Sequence, residues 1–360
     1  MSTFLFTGFP GFLGSELLPR ILARSPGTTA TCLIQPKFVN QALSRKAEIE
    51  ARHPETLGRI LLEAGDLTTP GLGLEARLKA EILEIYHLAA IYDLSVPREA
   101  AMKVNVEGTR HLLDWAEACP RLRRVHYVST CYVSGRHDGL FRETDLDVGQ
   151  AFNNFYEETK FLAEAEVRRR MVGGLGATVY RPAIVVGDSR TGATQKYDGP
   201  YFLIRWILRQ RGLALVPVVA SPERIHLNVV PRDFVVEAIA HLASKPDASG
   251  QVYQLADPEA LSVDALLRAL EAATGRRIIR LPIGLSVAKG AIERVPGVYR
   301  LMRIPSHAVD YFAHPTRYDT TQASEALLAS GLAVPPLSSY LDRLVRFVRD
   351  NDAIGAEAMA

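Results

Sequence analysis

The sequence predicts an α/β protein built on a doubly wound parallel sheet, with a smaller C-terminal lobe. Three features carry this. The apolar run Thr3–Thr7 ends in glycines at Gly8, Gly11 and Gly14 and passes at once into a helical pattern. Further apolar runs then alternate with helical stretches, which argues for parallel strands joined by right-handed crossovers. Beyond Arg181-Pro182 that rhythm changes, marking a second lobe.

The first strand, tight turn and helix form the unit around which the chain is organised. Glycine is needed where the backbone takes positive φ or comes close to a ligand. The helix N-terminus behind the turn offers free N–H groups and a partial positive charge to a pyrophosphate. The stretch Gly8, Phe9, Pro10, Gly11, Phe12, Leu13 and Gly14 is therefore expected to bind a dinucleotide, in a Rossmann-type fold. Its glycine spacing differs from the common G-x-G-x-x-G fingerprint.

The remaining elements follow in order. The first helix runs to about Ala23, and Ser25-Pro26-Gly27 ends it. The second strand spans 29–34. An acid near its end would bind the ribose 2′-OH of NAD, but Gln35-Pro36-Lys37 follows instead. Lys37, with Arg45 or Lys46 on the next helix, suits a 2′-phosphate; a solvated basic turn is the plain alternative. Residues 38–58 read as a polar helix and 60–67 as the third strand, with Asp66 at its end either beside the adenine or in a simple turn. The fourth strand is expected at 86–90, where small residues let the backbone pass close to a cofactor. His87 reads as a packed strand-end residue, because no acid lies at a spacing that would orient it. Residues 105–109 open a helix at 111–118. The fifth strand spans 125–129, a helix runs from 155 to about 171, and the sixth strand spans 177–180. An apolar segment at 183–186, a loop at 187–192 and a bulky helix at 201–208 come next.

Domain boundaries are expected at 1–187 for the dinucleotide-binding lobe and 188–345 mainly for a substrate-binding lobe. Residues 225–256 return to the first lobe, and 346–360 form a flexible tail.

Composition excludes several classes. Hydrophobic residues make up 48% of the 360 and charged residues 23%, with a net charge of +2. That pattern is globular, and it gives no bulk electrostatic case for nucleic acid. No window of about 18 residues is apolar enough to span a membrane. The N-terminus has no basic region or cleavage site, so no signal peptide is expected. Cys32, Cys119 and Cys131 are scattered and odd in number, which argues against a disulfide framework or a zinc site. A reducing cytoplasm fits, and no metal is expected.

Tyr156 and Lys160 are four apart, so a helix places them on one face. An ammonium near a phenol stabilises the phenolate and lowers a pKa that is otherwise about 10. Thr130, at the end of the fifth strand, can share a reacting carbonyl with Tyr156. Cys131 reads as a buried small residue, since no base or strongly positive neighbour is evident.

At these residues the chain resembles the extended short-chain dehydrogenase/reductase superfamily. The matching runs are Thr7–Gly14, His87–Ala90, Asn105–Thr109, Val128–Thr130, Tyr156–Lys160 and Arg181-Pro182, in the family's order. The resemblance implies a catalytic set of Thr130, Tyr156 and Lys160. It also implies a cofactor lined by Asp66, Leu67, Leu88, Ala89, Ala90, Asn105, Tyr156, Lys160, Arg181, Pro182 and Ile184, besides the glycine turn. A narrower resemblance is to the thioester-reductase and fatty acyl-CoA reductase branch, through Gly65-Asp66-Leu67, Leu72-Gly73-Leu74, Cys32-Leu33-Ile34 with Lys37, and Arg181–Gly192. That branch usually has Arg where this chain has Gln35, and the Arg reads the NADP phosphate. Lys37 and Arg45 still match basic positions, so NADP(H) is the expected cofactor.

The resemblance implies hydride reduction of an acyl thioester carried on coenzyme A or a carrier protein. An oxyanion held by Thr130 and Tyr156 would give an aldehyde, and a second hydride an alcohol. The helix 201–208 and residues 281–304 are either walls for the acyl chain or ordinary core of the second lobe. Lys289, Arg294, Arg300 and Arg303 could meet coenzyme A phosphates or a membrane surface, though a solvated face is the simpler reading. A homodimer is compatible with the sequence. The competing functions are a nucleotide-sugar epimerase with bound NAD and a non-enzymatic redox sensor. A dehydratase is disfavoured, because Cys131-Tyr132 stands where an acid pair would follow the catalytic Thr.

Overall fold

The computed structural model describes residues 2–94, 96–218, 221–294 and 306–355. β1 (Thr3–Thr7) is followed by α1 (Gly14–Arg24), β2 (Thr29–Ile34), α2 (Val39–Arg52), β3 (Ile60–Ala64) and β4 (Ile82–His87). α3 (Arg98–Ala101) continues through a π turn, Met102–Glu107, into α4 (Gly108–Glu117). Then come β5 (Arg124–Val128), β6 (Gly139–Phe141), α5 (Phe155–Val172), β7 (Ala177–Pro182) and β8 (Ile184–Val186). The C-terminal part holds α6 (Pro200–Arg209), β9 (Leu213–Val218), β10 (Val229–Pro231), α7 (Arg232–Ala243), β11 (Val252–Leu255), α8 (Val263–Thr274), β12 (Arg277–Pro282), α9 (Leu285–Arg294) and β13 (Thr316–Tyr318). Helices Thr321–Leu328 and Leu341–Asp350 close the described chain.

Seven parallel strands form the central sheet in the order β11-β7-β5-β4-β1-β2-β3. This is the doubly wound α/β architecture read from the sequence. The winding reverses between β1 and β4, and ligands of such sheets sit at the carboxyl ends of the strands at that point. β1, β5 and β7 are buried along their whole length, as strands covered on both faces must be. The period of two along β1 sends Phe4 and Phe6 to one face, against Leu17, Leu18, Val235 and Ile239. Leu5 goes to the other face, with Ile85, Leu112, Val125, Ala163 and Val167.

Several boundaries differ from expectation for local reasons. α2 stops at Arg52 because His53 precedes Pro54, and a residue before proline avoids the helical region. β4 lies at Ile82–His87 rather than 86–90; Leu88 N–H still donates to the Thr7 carbonyl at 3.3 Å before the chain leaves the sheet. The helix expected at 111–118 is the last part of a longer segment that starts at Arg98.

β9 and β12 pair as a parallel two-stranded sheet. The buried face of α6 packs there, with Tyr201, Ile204 and Ile207 against Leu266, Leu270, Leu344 and Val348. Phe202 and Trp206 pack against Ala288 and Ile292 of α9. This bulky helix thus supplies part of the lobe core, one of the two readings its pattern allows. Of the other expected wall, residues 295–305 lie outside the described residues, and with them Arg300 and Arg303. The tail expected from residue 346 is corrected. The last helix runs to Asp350 with Val348 buried. The Tyr197 hydroxyl donates to the Asn351 carbonyl at 2.9 Å, and Tyr197 N–H to Gly355 at 2.9 Å. Residues 356–360 lie outside the described residues.

Candidate active site

The glycine turn follows β1 directly. Gly8 has φ +88°, and a Cβ there would lie 2.9 Å from the backbone of Leu88 and Ala89. A Cβ on Gly11 or Gly14 would meet the Gly8 carbonyl at 2.7 or 2.4 Å. Only glycine keeps this backbone so close to β4 and to itself. Gly11 N–H donates to Gly8 O at 2.9 Å, and the Ser15 hydroxyl donates to Pro10 O at 2.8 Å. The turn therefore leaves the backbone bare at Gly8, Gly11 and Gly14 at the start of α1, which fits close approach of a dinucleotide pyrophosphate.

His87 is built into the scaffold beneath this turn. Thr7 Oγ1 lies 2.8 Å from its Nδ1 and Thr109 Oγ1 3.0 Å from its Nε2. Ala89 N–H donates to Thr7 Oγ1, and Thr109 Oγ1 donates to Asn105 O at 2.6 Å. These directions leave Thr7 donating to Nδ1 and the ring proton on Nε2. Burial pushes the His87 pKa down to about 3, with Lys160 acting the same way. The neutral ring ties β1, β4 and α4 together.

Thr130, Tyr156 and Lys160 meet at the carboxyl end of β5. The Thr130 hydroxyl stands beside the Tyr156 phenol, donates to the Pro182 carbonyl at 3.4 Å and accepts from Tyr132 N–H at 3.2 Å. α5 begins one residue before Tyr156, where the Asn154 side chain caps Glu157 N–H at 3.0 Å. The Lys160 ammonium is buried, donates to Val128 O at 2.8 Å and stands 4.4 Å from the Tyr127 ring centroid. Burial lowers its pKa to about 7, against the pull of Glu164. Burial raises the Tyr156 pKa, the neighbouring Thr130 hydroxyl opposes the rise, and Glu157, Tyr92 and Asp198 add to it. The phenol thus holds its proton at neutral pH.

Behind this set lies a layer that sequence reasoning missed. Glu164 accepts from Ser129 Oγ at 2.6 Å, from Arg168 at 3.0 Å and from Arg181 at 2.7 Å. Burial opposes its charge, but Arg181, Arg168 and these hydrogen bonds outweigh it and hold the carboxyl below its usual range. The sequence signal for it was the spacing Tyr156, Lys160, Glu164 along one helix face. The loop after β8 also contributes. Asp198 pairs with Lys196, whose ammonium sits 3.8 Å over the Tyr92 ring.

Two side chains expected to line the cofactor are engaged within the protein. The Arg181 guanidinium is engaged by Glu164, the Asp145 carbonyl at 2.6 Å and the Arg142 carbonyl at 3.4 Å, so its side chain holds the strand end. The Asn105 side chain bonds both main-chain groups of Ile91, at 2.8 and 2.9 Å, and Thr159 Oγ1 at 3.0 Å. It anchors the loop after β4. Pro182 closes β7, where its carbonyl faces Thr130 Oγ1 at 3.4 Å, and Ile184 opens β8. The Cys131 thiol donates to Arg181 O at 3.0 Å, and burial raises its pKa.

At the strand ends expected to meet the adenosine, Asp66 accepts from Gln35 Nε2 at 3.0 Å and from Thr68 N–H at 2.8 Å. Burial works against its charge, and these bonds together with Lys103 hold its carboxyl below the usual range. Leu67 is buried against Gly108. Lys37 is exposed on the turn after β2, with its ammonium 4.8 Å from the Phe38 ring. Arg45 pairs with Glu48 at 2.7 Å. Among the described residues no His/Cys/Asp/Glu group could hold a metal, and no helix is long and apolar enough to cross a membrane.

Comparison with known proteins adds to this geometry. Residues 6–239 match the family described as male sterility protein. A linear gramicidin synthase of Brevibacillus parabrevis is 30% identical over 281 residues, covering 74% of this chain and 5% of that protein. An aldehyde reductase of Aspergillus flavus is 26% identical over 298 residues, covering 77% of this chain and 29% of the relative. The chain spans less than a third of the length of either. The terminal R domain from the myxalamid PKS-NRPS biosynthetic pathway superposes with a TM-score of 0.82 at 26% identity, over 98% of this chain and 92% of that one. UDP-glucuronic acid 4-epimerase from Bacillus cereus, in complex with NAD, gives a TM-score of 0.68 at 18% identity over 99% of each chain, a likeness of fold alone.

Proposed function

Because this chain belongs to the male sterility protein family, in the thioester-reductase branch of the extended short-chain dehydrogenase/reductases, and is an NAD(P)-dependent oxidoreductase, we propose that it reduces acyl thioesters with NADPH. The observation that carries this reading is the grouping of Thr130 and Tyr156 side by side at the strand end, with the buried Lys160 ammonium held on Val128 O. When bound, the nicotinamide cofactor supplies hydride to the thioester carbonyl carbon. Thr130 and Tyr156 donate hydrogen bonds to the oxygen on which charge develops, and Tyr156 transfers its proton there. Lys160 lies one helical turn from Tyr156, so its charge compensates the phenolate. The resulting hemithioacetal expels its thiol and leaves an aldehyde, and a second reduction gives the alcohol. The acyl group is carried on coenzyme A or on a carrier protein, a reading supported by the peptide-synthetase and R-domain relatives.

The glycine cradle supports a bound dinucleotide, and the acid-free end of β2 with Lys37 supports the 2′-phosphate form. Incubating the protein with NADPH and an acyl N-acetylcysteamine thioester tests the proposal. Free thiol and aldehyde appear together if it is right, and neither appears if it is wrong.

A further inference from the structure

A cavity of about 400 Å³ opens between the catalytic lobe and the C-terminal lobe. Arg136 and Asn153 line it from the first, and Lys289, Asp310 and His314 from the second. It lies one side-chain layer from the catalytic pair. Asn153 donates through its main-chain N–H, at 2.8 Å, and its side chain to the carboxylate of Glu157, the neighbour of Tyr156. On the opposite wall the His314 ring is 4.9 Å from that of Tyr132, two residues beyond Thr130.

The lining is cationic. Lys289 donates to Asp310 at 2.8 and 3.1 Å, so that charge is balanced. Arg136 is held at the rim by Nε donating to Asn153 Oδ1 at 2.9 Å, and among the described residues its two Nη groups have no partner. Two cations against one carboxylate leave an excess of one positive charge. The His314 ring closes the inner wall. It is buried, its Nε2 lies 2.9 Å from the Tyr318 hydroxyl, and Ser134 Oγ lies 3.3 Å from the same hydroxyl.

We propose that this interlobe cavity is an anion subsite that takes a phosphate or carboxylate carried by the thioester substrate, with Arg136 as its principal contact. The inference rests on the thioester-reductase reading and names what that substrate must carry. The anion comes either from the carrier's pantetheine phosphates or from an acidic group on the acyl chain. In both cases it lies on the lobe side of Tyr156, away from the glycine cradle. Guanidinium suits either source because its fork matches both oxyanions.

Four thioesters separate the outcomes: hexanoyl and adipoyl groups, each on coenzyme A and on N-acetylcysteamine. In the wild-type protein at least one anionic feature raises kcat/KM tenfold or more. The gain follows adipoyl over hexanoyl on N-acetylcysteamine if the acyl group supplies the anion, and coenzyme A over N-acetylcysteamine with hexanoyl if the carrier does. In Arg136→Gln the gain falls below threefold. Equal gains in wild type and variant, or no gain at all, overturn the subsite while leaving the thioester reading intact. Inertness of all four overturns the thioester reading instead. Calorimetry on NADPH-saturated protein then reads the cavity directly. Pyrophosphate or adipate should bind at least tenfold more tightly to wild type than to Arg136→Gln, and equal binding overturns the subsite. Arg136 is exposed, so the variant folds; Lys289→Gln serves as a second probe in the same assays.

Discussion

The Glu164 carboxylate meets the Arg181 guanidinium at 2.7 Å, with neither side chain exposed to solvent. Ser129, one residue before Thr130, hydrogen-bonds the same carboxylate. The pair therefore braces the strand end that carries Thr130. Removing one partner of a buried pair leaves an uncompensated charge and costs about 3–5 kcal/mol. Arg181→Met is expected to lose that much in chemical denaturation, and Glu164→Leu with Arg181→Met to recover a substantial part. A single variant as stable as wild type would remove the pair from the account.

Glu157 is buried beside Tyr156 and its pKa is raised to about 7 by burial, with Asp310 adding to the rise against the hydrogen bonds from Asn153 and the nearby Tyr311 hydroxyl. Its folded pKa exceeds its unfolded value, so the native state binds the extra proton between the two. The stability this contributes is present below about pH 4.5 and is lost as pH rises through about 7. Relative to Glu157→Gln, wild type should lose on the order of 3 kcal/mol between pH 4.5 and 8, at ~1.4 kcal/mol per pKa unit. Parallel pH profiles of denaturation midpoint for the two proteins would contradict this.

β2 leads into Gln35-Pro36-Lys37, with no acid near its end to bind the ribose 2′-OH of NAD. Lys37→Ala should weaken NADPH binding by about 1.5–3 kcal/mol, the worth of a hydrogen bond to a charged group, and NADH binding far less. Calorimetry with both cofactors reads the difference. Equal losses, or tighter NADH binding by wild type, would reassign the cofactor.

Tyr156→Phe keeps the ring and removes the proton. General acid catalysis is worth about 10²–10⁴-fold, so kcat should fall by that factor while the NADPH dissociation constant holds. Turnover near the wild-type value would remove Tyr156 from the catalytic set.

The parallel sheet and the glycine turn were legible because both are local signals. Burial on both faces of β1 demands an unbroken apolar run, and Gly8, Gly11 and Gly14 occupy positions where a Cβ would clash. The shared face of Tyr156 and Lys160 follows from helical spacing alone. The roles of Arg181 and Asn105 did not follow, because their partners Glu164 and Ile91 come from other elements and only the fold brings them together. The bulky pattern of α6 looked the same as a ligand wall and as a lobe core, since periodicity records burial and not what covers it. The interlobe cavity was similarly hidden: Arg136, Lys289 and His314 are far apart in sequence and carry no shared motif.

The most direct test of the central claim is the stoichiometry of thiol release. Purified protein is mixed with an acyl N-acetylcysteamine thioester, with and without NADPH, and free thiol, NADPH oxidation and aldehyde are followed together. Thioester reduction predicts that thiol appears only with NADPH, at one thiol for each NADPH consumed in the first step, with aldehyde formed in the same amount. Absence of NADPH-dependent thiol release from every acyl thioester tried, with conversion of a nucleotide sugar and no net consumption of cofactor, would contradict it.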